Sequence, residues 1–423
     1  MGLPSKPRTS TSDPRTVNWF QFGRLIHSLY GRSKKLPDLE WIQSLGLLAV
    51  KLSQVHALRV DFLEREKCEH LARLYRQTEK LPPQRFSELL KSFGGDDFLA
   101  RFQSIDDVAL ASASVGQVHR ASLSGGDKVV IKIVKADVRA QFKADVASLE
   151  RLLRLAIRLY PRLRRVGDPI GILEDVETYT LSELDLRNEI AGQATLRRIR
   201  DAHARTFNLE TLKFPAINEL LSGENVLVSE YVPGPTVDEL LERGKLRYEA
   251  LIELFRLHGF YIFCIGQFHG DLHPGNVLLS GEDFYFVDTG YIGCIESVVR
   301  EGLFQFFGAL ADYNYAACAI HLHSMSTVKL DDSEFQQFKA DFIKLYSDFR
   351  GATVSEVSLT RRMMQTIRLG VNAGMAFDRS IFGVIRSLMY LDGMVLRCNP
   401  NAVLMCDMRP LLDEFLAVRQ VAS

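Results

Sequence analysis

The sequence predicts an α+β molecule of two lobes, a small one bearing strands and a larger helical one, with a helical extension ahead of both. Three observations predict it. Apolar residues recur at helical spacing from Val17 to about Glu79, among them Trp19, Phe22, Leu25, Ile26 and Leu29. The texture then changes to short runs around a Gly-Gly turn, Ala121–Leu123 and Val129–Val134, as a strand pair would read. After Thr236 the pattern is helical again, interrupted from Gly270 to Asp288.

In order along the chain, residues 1–15 are rich in Pro, Ser, Thr and Arg and read as a disordered tail without a secretory apolar segment. Residues 16–97 form the helical extension. Pro82-Pro83 breaks its run, and a short helix from Gln84 to Phe93 ends at Gly94-Gly95, a C-cap signal. Residues 98–232 form the strand-bearing lobe with a helical insertion. Helices are expected over Val138–Tyr160 and Leu173–Ala202, and a strand over Val226–Val232. Residues 233–423 form the helical lobe. Within it, Val277–Leu279 and Phe284–Val287 flank a turn at Ser280-Gly281.

Composition narrows the function classes. Hydrophobic residues make up 47% and charged residues 25%, which excludes a disordered chain, a collagen-like repeat and a disulfide scaffold. Lys+Arg and Asp+Glu are both 52, so no nucleic-acid partner is expected. The 6 cysteines form no CxxC pair, which points to free thiols in a reducing compartment and a cytoplasmic location. No stretch reaches about 18 apolar residues, so no transmembrane helix is expected. Arg151, Arg154, Arg158, Arg162 and Arg165 recur at near-helical spacing among leucines. That stripe reads either as a solvated face or as a peripheral contact with anionic membrane.

The chemistry is carried by His269-Gly-Asp271-Leu-His-Pro-Gly-Asn276 and by Phe286-Val-Asp288-Thr-Gly290. Phosphoryl transfer needs a carboxylate near the acceptor and oxygen ligands that hold Mg²⁺ on the phosphates. An Asp, an Asn five positions later and a second Asp beside a Gly are the kinase arrangement of those groups. Lys132, flanked by β-branched residues, suits the strand Lys that reaches the α/β-phosphates. Its acidic partner is expected from Glu183, Asp185 and Glu189 on one helix, with Glu189 the choice. Their long separation implies the helical insertion. Ala111, Ser112, Ala113, Ser114, Val115 and Gly116 stand where a Gly-rich phosphate loop is expected, and small side chains still let backbone N–H groups approach phosphate. Glu230 to Val232 would present backbone groups to adenine. His269 and His273 are read as backbone hydrogen-bonding residues rather than zinc ligands.

Together these residues resemble the UbiB/AarF/ADCK family of atypical protein-kinase-like proteins. The resemblance runs from about residue 40 to 405 and includes Lys51-Leu-Ser-Gln54, where the family carries Lys-x-Gly-Gln. It implies a protein-kinase-like fold with the extension packed over the active site. Lys51 and Gln54 would then be regulatory, with Glu183 and Asp185. The implied ligands are ATP and Mg²⁺. The implied activity is ATP hydrolysis or phosphorylation of a small-molecule or lipid acceptor in isoprenoid quinone metabolism, with a quinone- or lipid-biosynthesis protein as partner. No APE-like segment follows Asp288, which disfavours a peptide substrate. Two residues depart from the family pattern: Ser53 replaces the motif glycine, and Thr289 replaces the Phe beside the metal Asp, removing an apolar anchor. Two other readings stand beside this one, a nucleotide-gated scaffold without turnover and a phosphotransferase of the aminoglycoside or choline kinase type. The latter lacks the Lys51–Gln54 leader and the Ala-rich loop.

Overall fold

The computed structural model describes residues 19–30, 35–57, 63, 65–75, 80–113, 115–135, 138–159, 169–378 and 380–422. The chain begins with α1 (Trp19–Tyr30), α2 (Leu39–Ser44), α3 (Leu47–Ala57), α4 (Arg65–Ala72) and α5 (Pro83–Leu99). Next come β1 (Phe102–Ile105), β2 (Ala111–Ser112), β3 (Gly116–Leu123) and β4 (Lys128–Val134). Three helices follow, α6 (Val138–Leu159), α7 (Pro169–Glu183) and α8 (Arg187–His203), then β5 (Leu212–Lys213) and β6 (Val226–Glu230). After α9 (Val237–Glu242) and α10 (Tyr248–Gly259) come β7 (Gln267–His269), β8 (Val277–Ser280), β9 (Asp283–Phe286) and β10 (Ile292–Cys294). The chain closes with α11 (Ser297–Ala311), α12 (Tyr315–Met325), α13 (Asp332–Leu345), α14 (Leu359–Ala373), α15 (Ser380–Cys398) and α16 (Leu404–Ala422).

These elements fall into two compact units. The first comprises the described residues of Met1–Leu81, Ser112–Gly116 and Lys135–Leu181. The insertion helices thus cluster with the extension. Phe22, Leu25 and Leu29 of α1 are buried, three and four positions apart, and so are Phe142, Val146 and Leu149 of α6. This spacing is that of a single helical face, so each helix closes its apolar stripe onto a shared core. Ser53 lies in this unit with its side chain fully buried and its hydroxyl unpaired among the described residues. Arg151, Arg154 and Arg158 are exposed on α6, as are Leu155 and Leu159, and Arg154 pairs with Glu150 at 2.5 Å. Arg162 and Arg165 lie outside the described residues.

The second unit comprises Pro82–Ala111, Gln117–Val134 and Ser182–Ser423. Its strand-bearing part has the sheet path β1-β3-β4-β6. α5 kinks at Gly95, whose φ of 71° and ψ of −175° are a backbone that glycine adopts without a Cβ penalty, and the helix expected to end there continues to Leu99. β3 and β4 are joined by a turn in which Gly126 has φ 91°, and β8 and β9 by one in which Gly281 has φ 64°. The expected single helix over Leu173–Ala202 is instead two, α7 and α8, broken at 184–186. Glu183 therefore ends α7, Asp185 lies in the break and Glu189 lies in the first turn of α8. Two bonds mark the break: the Asp185 carboxylate accepts from the Arg187 N–H at 3.1 Å, and the Leu186 N–H goes to the distant Glu224 carbonyl at 2.9 Å. Among the described residues, no helix is long and apolar enough to cross a membrane.

The helical part is packed around aromatic residues, among them Phe260, Tyr261, Phe263 and Phe415, all buried. α10 continues as a π-helical turn, Phe260–Ile265, that Gly266 stops with φ 86°. His258 of α10 is fully buried, 5.9 Å edge-on from Phe268, and neither ring nitrogen has a hydrogen-bond partner among the described residues. Burial, reinforced by His269, lowers its pKa to about 3. Such a group stabilises the fold fully above the unfolded histidine pKa and loses that stability as pH falls through the folded value. The unfolding free energy should therefore decline from about pH 6.5 downward, with His258 contributing about 1.4 kcal/mol per pH unit. Chemical denaturation of His258→Leu between pH 6.5 and 5 should show a slope shallower by that amount. An unchanged slope would mean that His258 protonates in the folded state.

Candidate active site

Strand periodicity places the first functional side chain. In β4, Val129, Ile131 and Ile133 are buried on one face, so Lys132 projects from the other, opposite Leu227 of β6. Its ammonium donates to Glu189 Oε2 at 2.6 Å and to Asp288 Oδ1 at 2.8 Å. Burial alone would lower the Lys132 pKa, but Asp288 and Glu189 outweigh it and hold the ammonium above its usual value. Burial pushes the Glu189 carboxyl up, and the ammonium opposes that shift. An ammonium has three N–H donors, so this pair of bonds leaves one for a phosphate oxygen.

Glu189 is held by its own helix and by the segment that carries Asp288. The Thr289 hydroxyl donates to the Glu189 carbonyl at 2.8 Å, and the Ser182 hydroxyl donates to the Gly290 carbonyl at 2.7 Å. A Cβ on Gly192 would stand 1.9 Å from the Thr289 carbonyl oxygen, so only glycine lets α8 lie this close. The expected loss of an apolar anchor at Thr289 is thus met by a buried hydroxyl that ties this segment to α8. Asp288 itself has φ 57°, the left-handed region that Asp and Asn enter more readily than other residues.

Between β7 and β10, which pair antiparallel, lies the loop bearing Asp271. His269 Nδ1 accepts the Asp271 N–H at 3.2 Å and Nε2 donates to the Val287 carbonyl at 2.9 Å. Accepting at Nδ1 needs the neutral ring, and burial lowers the His269 pKa in agreement. His273 Nδ1 accepts the Gly275 N–H at 3.1 Å. Both histidines thus bond backbone. Among the described residues no group of three or more His, Cys, Asp or Glu could hold a metal ion.

Asn276 Nδ2 donates to the Asp271 carbonyl at 3.0 Å, which leaves its Oδ1 as the acceptor end. The Val287 N–H donates to the Asn276 carbonyl at 3.0 Å, joining the two motifs. Asp288 keeps a second carboxylate oxygen, and its side chain is 39% exposed. One amide oxygen and one carboxylate are the hard donors that Mg²⁺ takes beside phosphate and water, so these residues fit the ion.

The remaining expected residues are placed as follows. Ala113 N–H donates to the Gly116 carbonyl at 2.8 Å, a tight turn that includes the buried Val115. Lys135 fastens this loop, donating to Ser112 Oγ and to the Ala113 carbonyl, each at 2.8 Å. Ala111 is at the start of β2, and Ser114 lies outside the described residues. At the end of β6, Glu230 and Tyr231 spend their N–H groups on Ala216 and Lys128, whereas the Val232 N–H makes no hydrogen bond among the described residues. Asp185 pairs with Arg187 at 2.7 Å. In the first unit, Lys51 is buried with its ammonium 5.2 Å from the Tyr179 ring centroid, and Gln54 donates to the Leu74 carbonyl at 3.0 Å. Sequence reasoning missed Lys135, Arg386 and Tyr390. Arg386 donates to the Gly270 carbonyl, and the Tyr390 hydroxyl donates to Asp271 Oδ1 at 2.9 Å.

Known proteins resemble this chain over most of its length. Residues 73–322 match the ABC1 atypical kinase-like domain. The "probable protein kinase UbiB" of Glaesserella parasuis serovar 5 is 26% identical, over 89% of this chain and 69% of that protein. The protein of the same name from Aeromonas salmonicida is 27% identical, over 93% of this chain and 74% of its own length. Among solved structures, the Rv3197–erythromycin complex of Mycobacterium tuberculosis superposes with a TM-score of 0.55 at 19% identity, covering 90% of each chain. The fold is therefore kinase-like.

The Asp288 geometry has a direct test. Asn also tolerates the left-handed backbone but lacks the charge. Asp288→Asn should weaken Mg-dependent ATP binding by at least about tenfold in a calorimetric titration. Unchanged affinity would remove Asp288 from the metal site.

Proposed function

The chain belongs to the ABC1 atypical kinase-like family, the UbiB/AarF/ADCK group, and from that premise we propose that it binds Mg·ATP and transfers or hydrolyses the γ-phosphoryl group. We place this activity in isoprenoid quinone or other lipid metabolism rather than protein phosphorylation. The observation that carries the reading is the Lys132 ammonium held between Glu189 and Asp288, at 2.6 and 2.8 Å.

In this reading Glu189 aims Lys132, whose third N–H takes an α/β-phosphate oxygen. The Val232 backbone N–H meets the adenine edge. Ala111, Ser112, Ala113, Ser114, Val115 and Gly116 are proposed as nucleotide-binding residues from the family resemblance. Asn276 and Asp288 would hold Mg²⁺, which when bound neutralises charge on the phosphate oxygens. Asp271 orients a water or acceptor hydroxyl and takes its proton as its oxygen bonds to the γ-phosphorus, while the bond from that phosphorus to the bridging oxygen breaks and ADP leaves. The acceptor is a small molecule or lipid, and the relatives' UbiB name supports a quinone pathway. Lys51, Gln54, Glu183 and Asp185 are proposed as regulatory. The exposed Arg151 and Arg158, with Leu155 and Leu159, support a peripheral contact with anionic membrane.

The test is Mg-dependent ATP hydrolysis by the purified protein, with and without anionic vesicles and a phenolic quinone-precursor mimic. Wild type should turn over, faster with lipid or phenol. Asp271→Asn should lose at least about 100-fold in kcat while still binding ATP. Bound ATP without turnover in wild type would instead support the nucleotide-gated scaffold.

A further inference from the structure

The charged groups of the site belong to a closed circuit of bonds. Lys132 Nζ donates to Glu189 Oε2 at 2.6 Å and to Asp288 Oδ1 at 2.8 Å. The circuit closes away from the charges, where the Thr289 hydroxyl donates to the Glu189 carbonyl at 2.8 Å. Thr289 is 1% exposed, so this bond is made out of contact with bulk water. One residue on, the Gly290 carbonyl accepts the Ser182 hydroxyl at 2.7 Å. The backbone just after Asp288 is thus tied to both sides of the break between α7 and α8.

Ligand binding asks different things of these bonds. In the reading above, Lys132 also serves a phosphate oxygen and Asp288 takes Mg²⁺, so both ion pairs are redistributed when Mg·ATP arrives. The Thr289 bond joins a hydroxyl to a helix carbonyl, and that reading assigns neither to the ligand. It stays in place throughout. Asp288 needs such a hold, because its φ of 57° is a sparsely populated backbone for a residue with a side chain. An apolar side chain at position 289 would fill space, whereas a hydrogen bond to a helix carbonyl fixes distance and direction. A metal ligand that is already in place loses less freedom when the ion arrives.

We propose that Thr289 is a positioning residue for Mg²⁺: its hydroxyl fastens the Asp288 segment to α8 and so sets the Asp288 carboxylate for the ion before nucleotide binds. This rests on the Mg·ATP reading above. It gives a residue that departs from the family pattern control over the affinity for the ion.

The test measures ATP binding by the full-length protein at rising Mg²⁺ concentration, by equilibrium dialysis, with the thermal unfolding midpoint of each variant recorded beside it. Wild type against Thr289→Val removes the hydroxyl and keeps the β-branched shape. Thr289→Ser against Thr289→Ala makes the same deletion with the methyl absent from both. The Mg²⁺ concentration for half-maximal binding should rise about fivefold in Thr289→Val over wild type, and about fivefold in Thr289→Ala over Thr289→Ser. Thr289→Ser should stay within about twofold of wild type. If Thr289→Val does not fold, the Ser and Ala variants decide. A wild-type Mg²⁺ dependence in the variants without the hydroxyl, even with a lower unfolding midpoint, would overturn the proposal, since the hydroxyl would then serve packing alone. So would a Thr289→Ser variant as impaired as Thr289→Ala, because the methyl would then carry the effect. If wild type binds no ATP, or binds it without regard to Mg²⁺, the Mg·ATP reading falls and the positioning role falls with it. That failure shows in wild type alone, so the two are distinguishable.

Discussion

One ammonium between two carboxylates organises the second unit. Lys132 comes from a strand, Glu189 from the first turn of a helix and Asp288 from the segment after a hairpin. Lys132 and Glu189 are poorly exposed, with side chains 14% and 10% accessible, whereas Asp288 is 39% accessible. A charge so placed is costly without its partners, and removing one leaves the others uncompensated. Strand, helix and segment therefore have to arrive in register. Two carboxylates against one ammonium leave the cluster with a net negative charge.

The surrounding residues make that register specific. The break at Asp185 sets Glu189 in the first turn of α8, where a carboxylate also favours the helix dipole. Gly192 lets the helix approach the Thr289 carbonyl, and the Thr289 hydroxyl fastens the approach. The left-handed backbone at Asp288 costs some strain, and the Lys132 ion pair helps hold it. On the other side, α15 grips the Asp271 loop. The Lys132 cluster and the Asp271 loop are thus fixed by different parts of the chain, one within the matched family domain and one after it.

Local signals in the sequence were enough for much of this. The Lys132 strand was legible from its β-branched flanks, and the β8–β9 hairpin from Ser280-Gly281. The Asp271, Asn276 and Asp288 spacing was legible because loop chemistry there depends on near neighbours. The break between α7 and α8 was hidden, because Leu184 and Leu186 are both buried and continue the apolar pattern through it. What marks the break is a pair of hydrogen bonds, one of them to a distant carbonyl, which periodicity does not encode. Thr289 read as a lost apolar contact, since nothing local tells that Gly192 brings a carbonyl within reach of its hydroxyl. Tyr390 was beyond reach for a plainer reason: it is 119 positions from Asp271 and sits in an ordinary apolar helix. The grouping of residues 135–181 with the extension is likewise a matter of distant contacts.

The central claim is that Lys132 and Glu189 act as one unit in holding the fold of the site. A double-mutant cycle of Lys132→Met and Glu189→Met, read by chemical denaturation at neutral pH, tests it most directly. The account predicts that each single change costs about 3–5 kcal/mol, because it strands a buried charge. The double change should cost less than the sum by at least about 1 kcal/mol. Effects that add within about 0.5 kcal/mol would contradict the account, since they would show two side chains that do not depend on each other.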